Sequence, residues 1–412
     1  MFGRVHFLRA SSTLIDQGVV SVGSFAVNIM LARYLAPADY GTFAVIYGLL
    51  MGAQIFNATL IYYPLTIRLA APGRDRRDVI SSSMALMAML LVPLSIAIGV
   101  GLIVFRHHDL IVPALVWFSA WQLQEIFRRI LFAEFRHSTA VIGDAVSYFG
   151  QALVVVLLPV FDALTLVNVF WAMAATSVLA AAIQLIQVNP HWRRPADLIA
   201  VMRDYWAIGC WSLGGNVVNA MRFNAVIWLI AALAGRAEVA DFQAAINIAN
   251  LANPILFGMC NLIPQTAAHA SGGGVARAWR ATRHYAAFGF PPIAIYYAFI
   301  IVSPAPMLWL FYGSNSLYLS VGLAVQILGG AFIFNYAAEM ICSFLHGVNS
   351  ARNVLNINLL GTAIAVVVFL LAFPAAGWMA APIAIAVSSC VRLILALASL
   401  KRLVADADVR PV

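Results

Sequence analysis

Charge is what this sequence has least of. Asp, Glu, Lys and Arg together make up 10% of its 412 residues while hydrophobic residues make up 63%, where an average soluble domain is about a quarter charged. Too few ionised groups remain to cover a surface in water, so a soluble globular protein is excluded and hydrocarbon must be part of the solvent. Cysteine is scarce too. Cys210, Cys260, Cys342 and Cys390 lie far apart in apolar stretches, with no C-x-x-C pair and no Cys/His cluster, which argues against a disulfide framework and a metal centre. No G-x-x-x-x-G-K-[ST] segment occurs, and no interval between apolar segments would hold an ATPase domain. The run Gly272 to Gly274 lacks the lysine and hydroxyl that would follow it in a phosphate loop and reads as a connector. His6, His137 and His346 stand alone, and His107-His108-Asp109 reads as a solvated turn, so neither a cofactor nor the chemistry of a soluble enzyme is expected.

What is present is apolar length. A helix needs about 20 mostly apolar residues to cross a bilayer, and segments of that kind fall near 10–32, 41–65, 80–104, 110–131, 140–160, 163–188, 206–232, 240–265, 286–310, 317–345, 354–373 and 378–400. The expected fold is an all-α integral membrane protein with twelve transmembrane helices. The first segment is longer than the apolar core of a secretory signal, carries Asp16 and Gln17 near its start, and reads as a retained span.

Basic residues test that count. With twelve spans and a cytoplasmic N-terminus, only Arg33, Arg106 and Arg236 fall on the far side, Arg222 and Arg392 lie within spans, and every other Arg and the single Lys falls on the near side. This bias predicts a multi-pass protein with both termini cytoplasmic. The formal charge of +8 is divided among short loops beside span ends, which suits anionic membrane lipids and not nucleic acid.

The longest polar connection, Asn189 to Asp197, divides the spans six and six. It predicts an N-terminal lobe over 1–188, a cytoplasmic linker over 189–205 whose Leu198–Arg203 stretch reads as a short interfacial helix, and a C-terminal lobe over 206–412. A faint echo supports duplication. Ala38-Asp-Tyr-Gly-Thr-Phe43 is matched 199 residues on by Ala237-Glu-Val-Ala-Asp-Phe242, and Pro64 finds Pro264 at nearly the same offset. Even numbers of spans make the halves parallel, related by a pseudo-two-fold axis along the membrane normal, and such halves can rock about a central cavity.

A charge in hydrocarbon costs several kcal/mol, about 2.5 to 3.5 on insertion scales, so each intramembrane one asks for a partner, a cavity or the interface. Ser212, Asn216, Asn219 and Arg222 share one helical face, and Gln243, Asn247 and Asn250 continue the polar theme in the next span. They line a wet passage or bond helix to helix, and Arg222 is either a cationic contact for an anionic substrate or a structural pair. Gln122, Glu125 and Arg129 share a face; Arg128 and Arg129 receive phosphate or mark the interface. Asp16, Asp144 and Glu339 are candidates for ion coupling or for arginine pairs, and Arg392 is free to snorkel or to meet Glu339 or Asp16.

At Leu31-Ala-Arg-Tyr-Leu-Ala-Pro-Ala-Asp-Tyr-Gly-Thr-Phe-Ala44 the chain resembles the bacterial polysaccharide exporters, the lipid-linked oligosaccharide flippases of the multidrug/oligosaccharidyl-lipid/polysaccharide exporter superfamily. Ala36 stands where that family commonly has Gly. The resemblance implies a two-lobed transporter of the bacterial inner membrane that turns a polyprenyl-pyrophosphate-linked oligosaccharide to the periplasmic leaflet, next to a glycan polymerase, with no covalent step. It further implies Arg222 as a phosphate contact, Arg129 or Arg68 at the cytoplasmic mouth, and coupling to H+ or Na+ or to the membrane potential. A multidrug or small-solute cation-coupled antiporter of the same superfamily is the leading alternative. A membrane enzyme polymerising or ligating lipid-linked glycan is another, although outer loops of only about ten residues leave such an enzyme little room for soluble reactants.

Overall fold

The computed structural model describes residues 2–71, 73–193 and 197–409, with side chains from residue 18 to 405 apart from 70, 72, 194–196, 211, 261 and 273. Among the described residues every regular element is helical. In chain order the α-helices are α1 (Phe2–Tyr34), α2 (Pro37–Asn57), α3 (Tyr63–Ala70), α4 (Arg76–Val104), α5 (Ile111–Ala133), α6 (His137–Leu157), α7 (Leu166–Val188), α8 (Leu198–Leu233), α9 (Arg236–Ala249), α10 (Asn253–Ala270), α11 (Val275–Val302), α12 (Ala305–Tyr312), α13 (Gly322–Gly347), α14 (Ala351–Ala376) and α15 (Ala380–Val409). Ten apolar helical stretches among the described residues are long enough to cross a membrane. The last of them, Ala351–Ala405, takes in α14 and most of α15, and Gly18–Tyr34 of α1 is a shorter apolar helix. The protein is an all-α, multi-spanning membrane protein.

Local chemistry sets the breaks. Pro37 opens α2, where its missing N–H has no helical partner to lose. The expected 41–65 span is one passage made of α2, a π turn at Ala58–Tyr62 and α3; the wider turn sits immediately before Pro64, whose ring and absent N–H disturb the regular ladder. The polar 240–265 segment is likewise α9 and α10 joined by a 3-10 turn at Asn250–Ala252, just before Pro254. Asp75 caps α4 by accepting from the Arg77 backbone N–H at 2.9 Å. The expected separate interfacial helix at Leu198–Arg203 is instead the first turns of α8. No Pro or Gly intervenes before Gly209, so nothing stops the helix.

The chain forms two compact units. One comprises 1–36 and 46–216, the other 37–45 and 217–412, so α2 and α8 each belong partly to both. In the first unit α5 packs against α7, α6 against α1 and α7, and α3 and α4 against α5. Its core includes Tyr62, Leu65, Ile80, Leu86, Met87, Ile126, Ile130 and Tyr205. In the second unit α13 is central, packed on α9, α10, α11, α14 and α15.

The early segment Pro37–Val45 is built into the second unit. Tyr40 is buried, stands edge-on to Tyr318, and its hydroxyl accepts from Asn247 at 2.7 Å. Gly41 lies so close to the Arg236 carbonyl and the Ala240 N–H that a Cβ there would overlap them.

Candidate functional site

The second unit buries a polar cluster supplied by four helices. α8 contributes Arg222, α13 Asn335 and Glu339, α14 Asn358, and α15 Arg392. Arg222 is 2% exposed and Arg392 0%. Both guanidiniums donate to one atom, the Asn335 Oδ1, each at 2.8 Å. Arg392 also donates to Glu339 at 2.8 Å and to the Asn358 Oδ1 at 2.7 and 3.2 Å.

Arg392 fits because Gly361 leaves room for it. A Cβ at Gly361 would fall within 2.5 Å of the arginine's Cγ, and Ser388 fastens the same turn by donating to the Gly361 carbonyl at 2.7 Å. Arg222 is less well served. Its guanidinium lies 4.6 Å from the Phe223 ring centroid, but its buried Nε and Nη1 have no hydrogen-bond partner among the described residues. Among the described residues the cluster therefore sets two guanidiniums against one carboxylate, and one cation is under-satisfied. Arg392 meets Glu339, one of the two acids the sequence left open to it; Asp16, the other, lies outside the residues whose side chains are described.

The first unit holds a second buried network, this one balanced in charge. Glu125 accepts from Arg128 at 2.9 Å and from Arg129 at 3.3 Å, while the Arg128 Nε lies 2.7 Å from Asp144 Oδ2. The other Asp144 oxygen accepts from Gln124 and Gln184, both at 3.2 Å. Gln122, on the same helix, accepts from Asn57 at 3.0 Å and from the Tyr62 hydroxyl at 2.7 Å. The sequence stripe of Gln122, Glu125 and Arg129 missed Arg128 as the bridge to Asp144, along with Gln124 and Gln184. The i,i+3 spacing of Glu125 and Arg128 was the available signal.

The remaining expected residues are dispersed. Arg68 makes a two-pronged ion pair with Asp204, its Nε donating at 2.7 Å. Asn216 is exposed and donates to Thr59 at 3.1 Å in the first unit, whereas Asn219 and Arg222 belong to the second. Asn219 has a buried side-chain oxygen without a partner among the described residues. Asn247 serves Tyr40 and accepts from Gln243 at 2.9 Å, and Asn250 accepts from Asn253 at 2.9 Å. Of the residues expected to share a site, the structure thus joins Arg222, Arg392 and Glu339 in one place, and Glu125, Asp144 and Arg129 in another. Asn335 lies four residues before Glu339 on one face of its span, which the sequence shows, but it was not taken as a site residue; Asn358 was missed, because no spacing along α14 points to its partner Arg392 on α15. Among the described residues no group of three or more His, Cys, Asp or Glu side chains is placed to hold a metal ion.

Comparison with known proteins agrees with this fold. Over 95% of its length the chain superposes on 96% of an inward-facing multidrug resistance MATE family transporter of the MOP superfamily, with a TM-score of 0.82 at 15% identity. An outward-facing multidrug resistance MATE family transporter gives 0.71 at 16% identity, covering 98% of this chain and 96% of that one. A MOP superfamily transporter from Pyrococcus furiosus, described as having a binding pocket of reversed polarity that suggests a different function, gives 0.69 at 15% identity over 97% and 96%. No curated protein matches the sequence. The family described as polysaccharide biosynthesis protein matches residues 9–267, well over half of the chain. This membrane protein, which has the fold of MOP superfamily transporters, therefore belongs to the polysaccharide biosynthesis protein family.

Proposed function

We propose that this MOP-type transporter moves a polyprenyl-pyrophosphate-linked oligosaccharide repeat unit from the cytoplasmic to the periplasmic leaflet, for O-antigen, capsule or exopolysaccharide assembly. One observation carries the reading: among the described residues Arg222 and Arg392 are buried against a single carboxylate, and two Arg222 N–H groups lack acceptors. A surplus cation inside a membrane protein costs several kcal/mol, about 2.5 to 3.5 on insertion scales, and is retained where an anion passes. A diphosphate is such an anion, and the family's description concerns polysaccharide. The reading requires Arg222, covered in this structure, to be uncovered at another stage of the cycle. Asn216, Asn219, Asn247 and Asn250 would then contribute polar lining, with Arg129 and Arg68 nearer the cytoplasmic mouth.

The architecture belonging to this reading is twelve passages in two six-helix lobes, 1–188 and 206–412, joined by a cytoplasmic linker over 189–205, with both termini cytoplasmic. Counting α14 and α15 separately and adding α1 brings the ten long apolar stretches to that number. The pseudo-two-fold axis is supported by the sequence echo. Coupling to H+ or Na+ would fall to Glu339, Asp144 or Asp16, and a glycan polymerase would receive the product.

The likenesses in fold favour a second reading, a cation-coupled exporter of small solutes. The solved structures include two described as multidrug resistance transporters, and Glu339, whose side chain is 19% exposed, would be its coupling acid. Leaflet-resolved measurement of lipid-linked repeat units separates the two. The glycan reading expects them to accumulate in the cytoplasmic leaflet when the protein is removed, with rescue by the native chain and not by a well-inserted Arg222→Ala variant. Drug-stimulated ion flux together with an unchanged leaflet distribution would assign the protein to the second reading.

A further inference from the structure

Away from both buried clusters, the first unit carries two adjoining cavities whose walls differ sharply in polarity. One, of about 320 Å³, is bounded by Arg68, Arg74, Asp75, Asp78, Ser82 and Asp204. The other, of about 300 Å³, is bounded by Leu60, Leu86, Met89, Leu90, Pro93 and Trp206 and is almost entirely apolar. Tyr205 lines both. It is buried, and its hydroxyl lies 2.7 Å from Ser83 Oγ. One face of α4 runs along the pair: Asp78, Ser82, Leu86, Met89 and Pro93 recur at three- and four-residue spacing, a stripe about 22 Å long at 1.5 Å per residue. Over that length the stripe changes from ionic to hydrocarbon-like.

We propose that this groove is a binding site for one membrane phospholipid with a zwitterionic, amine-bearing headgroup, the head in the ionic cavity and one acyl chain in the apolar one. The charges select the head. Arg68 is occupied by Asp204, and Arg193 reaches Asp75 and Asp78 from the rim at 3.3 and 3.5 Å with its side chain 62% exposed. Arg74 makes no ion pair among the described residues and is the group left for a phosphate. Asp75 and Asp78, roughly half exposed, share the solvent-exposed Arg193 and would exchange that contact for an ammonium. With Arg193 included, the cavity carries three arginines and three aspartates, so it favours a headgroup of zero net charge. A diphosphate would face the three carboxylates with only Arg74 unpaired. The site shares Arg68, held by Asp204, with the mouth of the cargo route proposed above, and nothing else in it depends on that route. The apolar half is suited to a chain, since Met89, Met202 and Trp206 expose large apolar surfaces beside it.

Native mass spectrometry of the full-length protein, with palmitoyl-oleoyl phosphatidylethanolamine, phosphatidylglycerol and farnesyl diphosphate as competing probes, tests the assignment. One phosphatidylethanolamine is expected to be retained. Asp78→Asn should weaken that retention about tenfold, the value of one charge-assisted contact of roughly 1.4 kcal/mol. Met89→Trp, a change at a surface that is 57% exposed and so tolerated by the fold, should abolish it by filling the groove. Preferential retention of phosphatidylglycerol, displacement by farnesyl diphosphate, or phosphatidylethanolamine retention unaffected by either substitution would overturn the proposal.

Discussion

If Arg222 is kept for an anion that passes and not for the fold, replacing it should leave the protein at least as stable, while replacing its neighbours should not. Arg222→Met removes one charge-assisted hydrogen bond, worth about 1.5–3 kcal/mol, and the contact with the Phe223 ring, worth about 0.5–2 kcal/mol. It also relieves two buried N–H groups that have no acceptor among the described residues, at about 1–3 kcal/mol each, and the repulsion from Arg392. The Asn335 oxygen keeps the bond from Arg392. The balance lies between neutral and a gain of a few kcal/mol. Glu339→Gln removes the cluster's only carboxylate among the described residues and leaves two guanidiniums buried, a loss of about 3–5 kcal/mol. A gap of about 3 kcal/mol corresponds to roughly 6–12 °C in melting temperature for a cooperative unit of some two hundred residues. Thermal unfolding of the two purified variants in one detergent, followed by tryptophan fluorescence, measures it. If Arg222→Met falls as far as Glu339→Gln, Arg222 is a structural cation and the transport reading loses its main support.

Two further outcomes follow from the packing. Asp144→Asn breaks the pair between buried Arg128 and fully buried Asp144 and should lower stability by about 3–5 kcal/mol, with Arg128→Met/Asp144→Leu recovering much of it; a single-variant loss below about 1 kcal/mol would mean that the pair is solvated. Gly41→Ala places a methyl on the Arg236 carbonyl, so it should cost about 1–3 kcal/mol through forced backbone movement, read as a lower melting temperature; an unchanged value would refute the close approach.

Composition and hydropathy alone were enough to read the membrane class, because a chain with so little charge has no alternative solvent. Spacing along a helix showed which residues share a face, and Glu125 and Arg129 do meet. What spacing cannot supply is the residue opposite. Arg68 finds Asp204 at a separation of 136 residues and Arg392 finds Asn358 at 34, and nothing periodic marks either pairing. The α8 boundary failed for a different reason: the expected break after Arg203 has no Pro or Gly to enforce it, since none occurs between Leu198 and Ile208, so the interfacial turn and the following passage became one rod. The tyrosine and glycine at the end of the Leu31–Ala44 motif acquired a physical meaning only with the fold. One supplies a hydroxyl to Asn247, and the other is the residue without a side chain at a backbone crossing.

That α8 is unbroken across Asn216 and Val217 bears on how this chain can be divided. Severing it in the connection before Leu198 would not yield two self-sufficient pieces: the upstream fragment would lack the Leu198–Asn216 stretch that completes its own body, and would carry in Pro37–Val45 a wedge belonging to the other. Each fragment would therefore hold something the other needs, and two separately made halves should complement one another only when produced together.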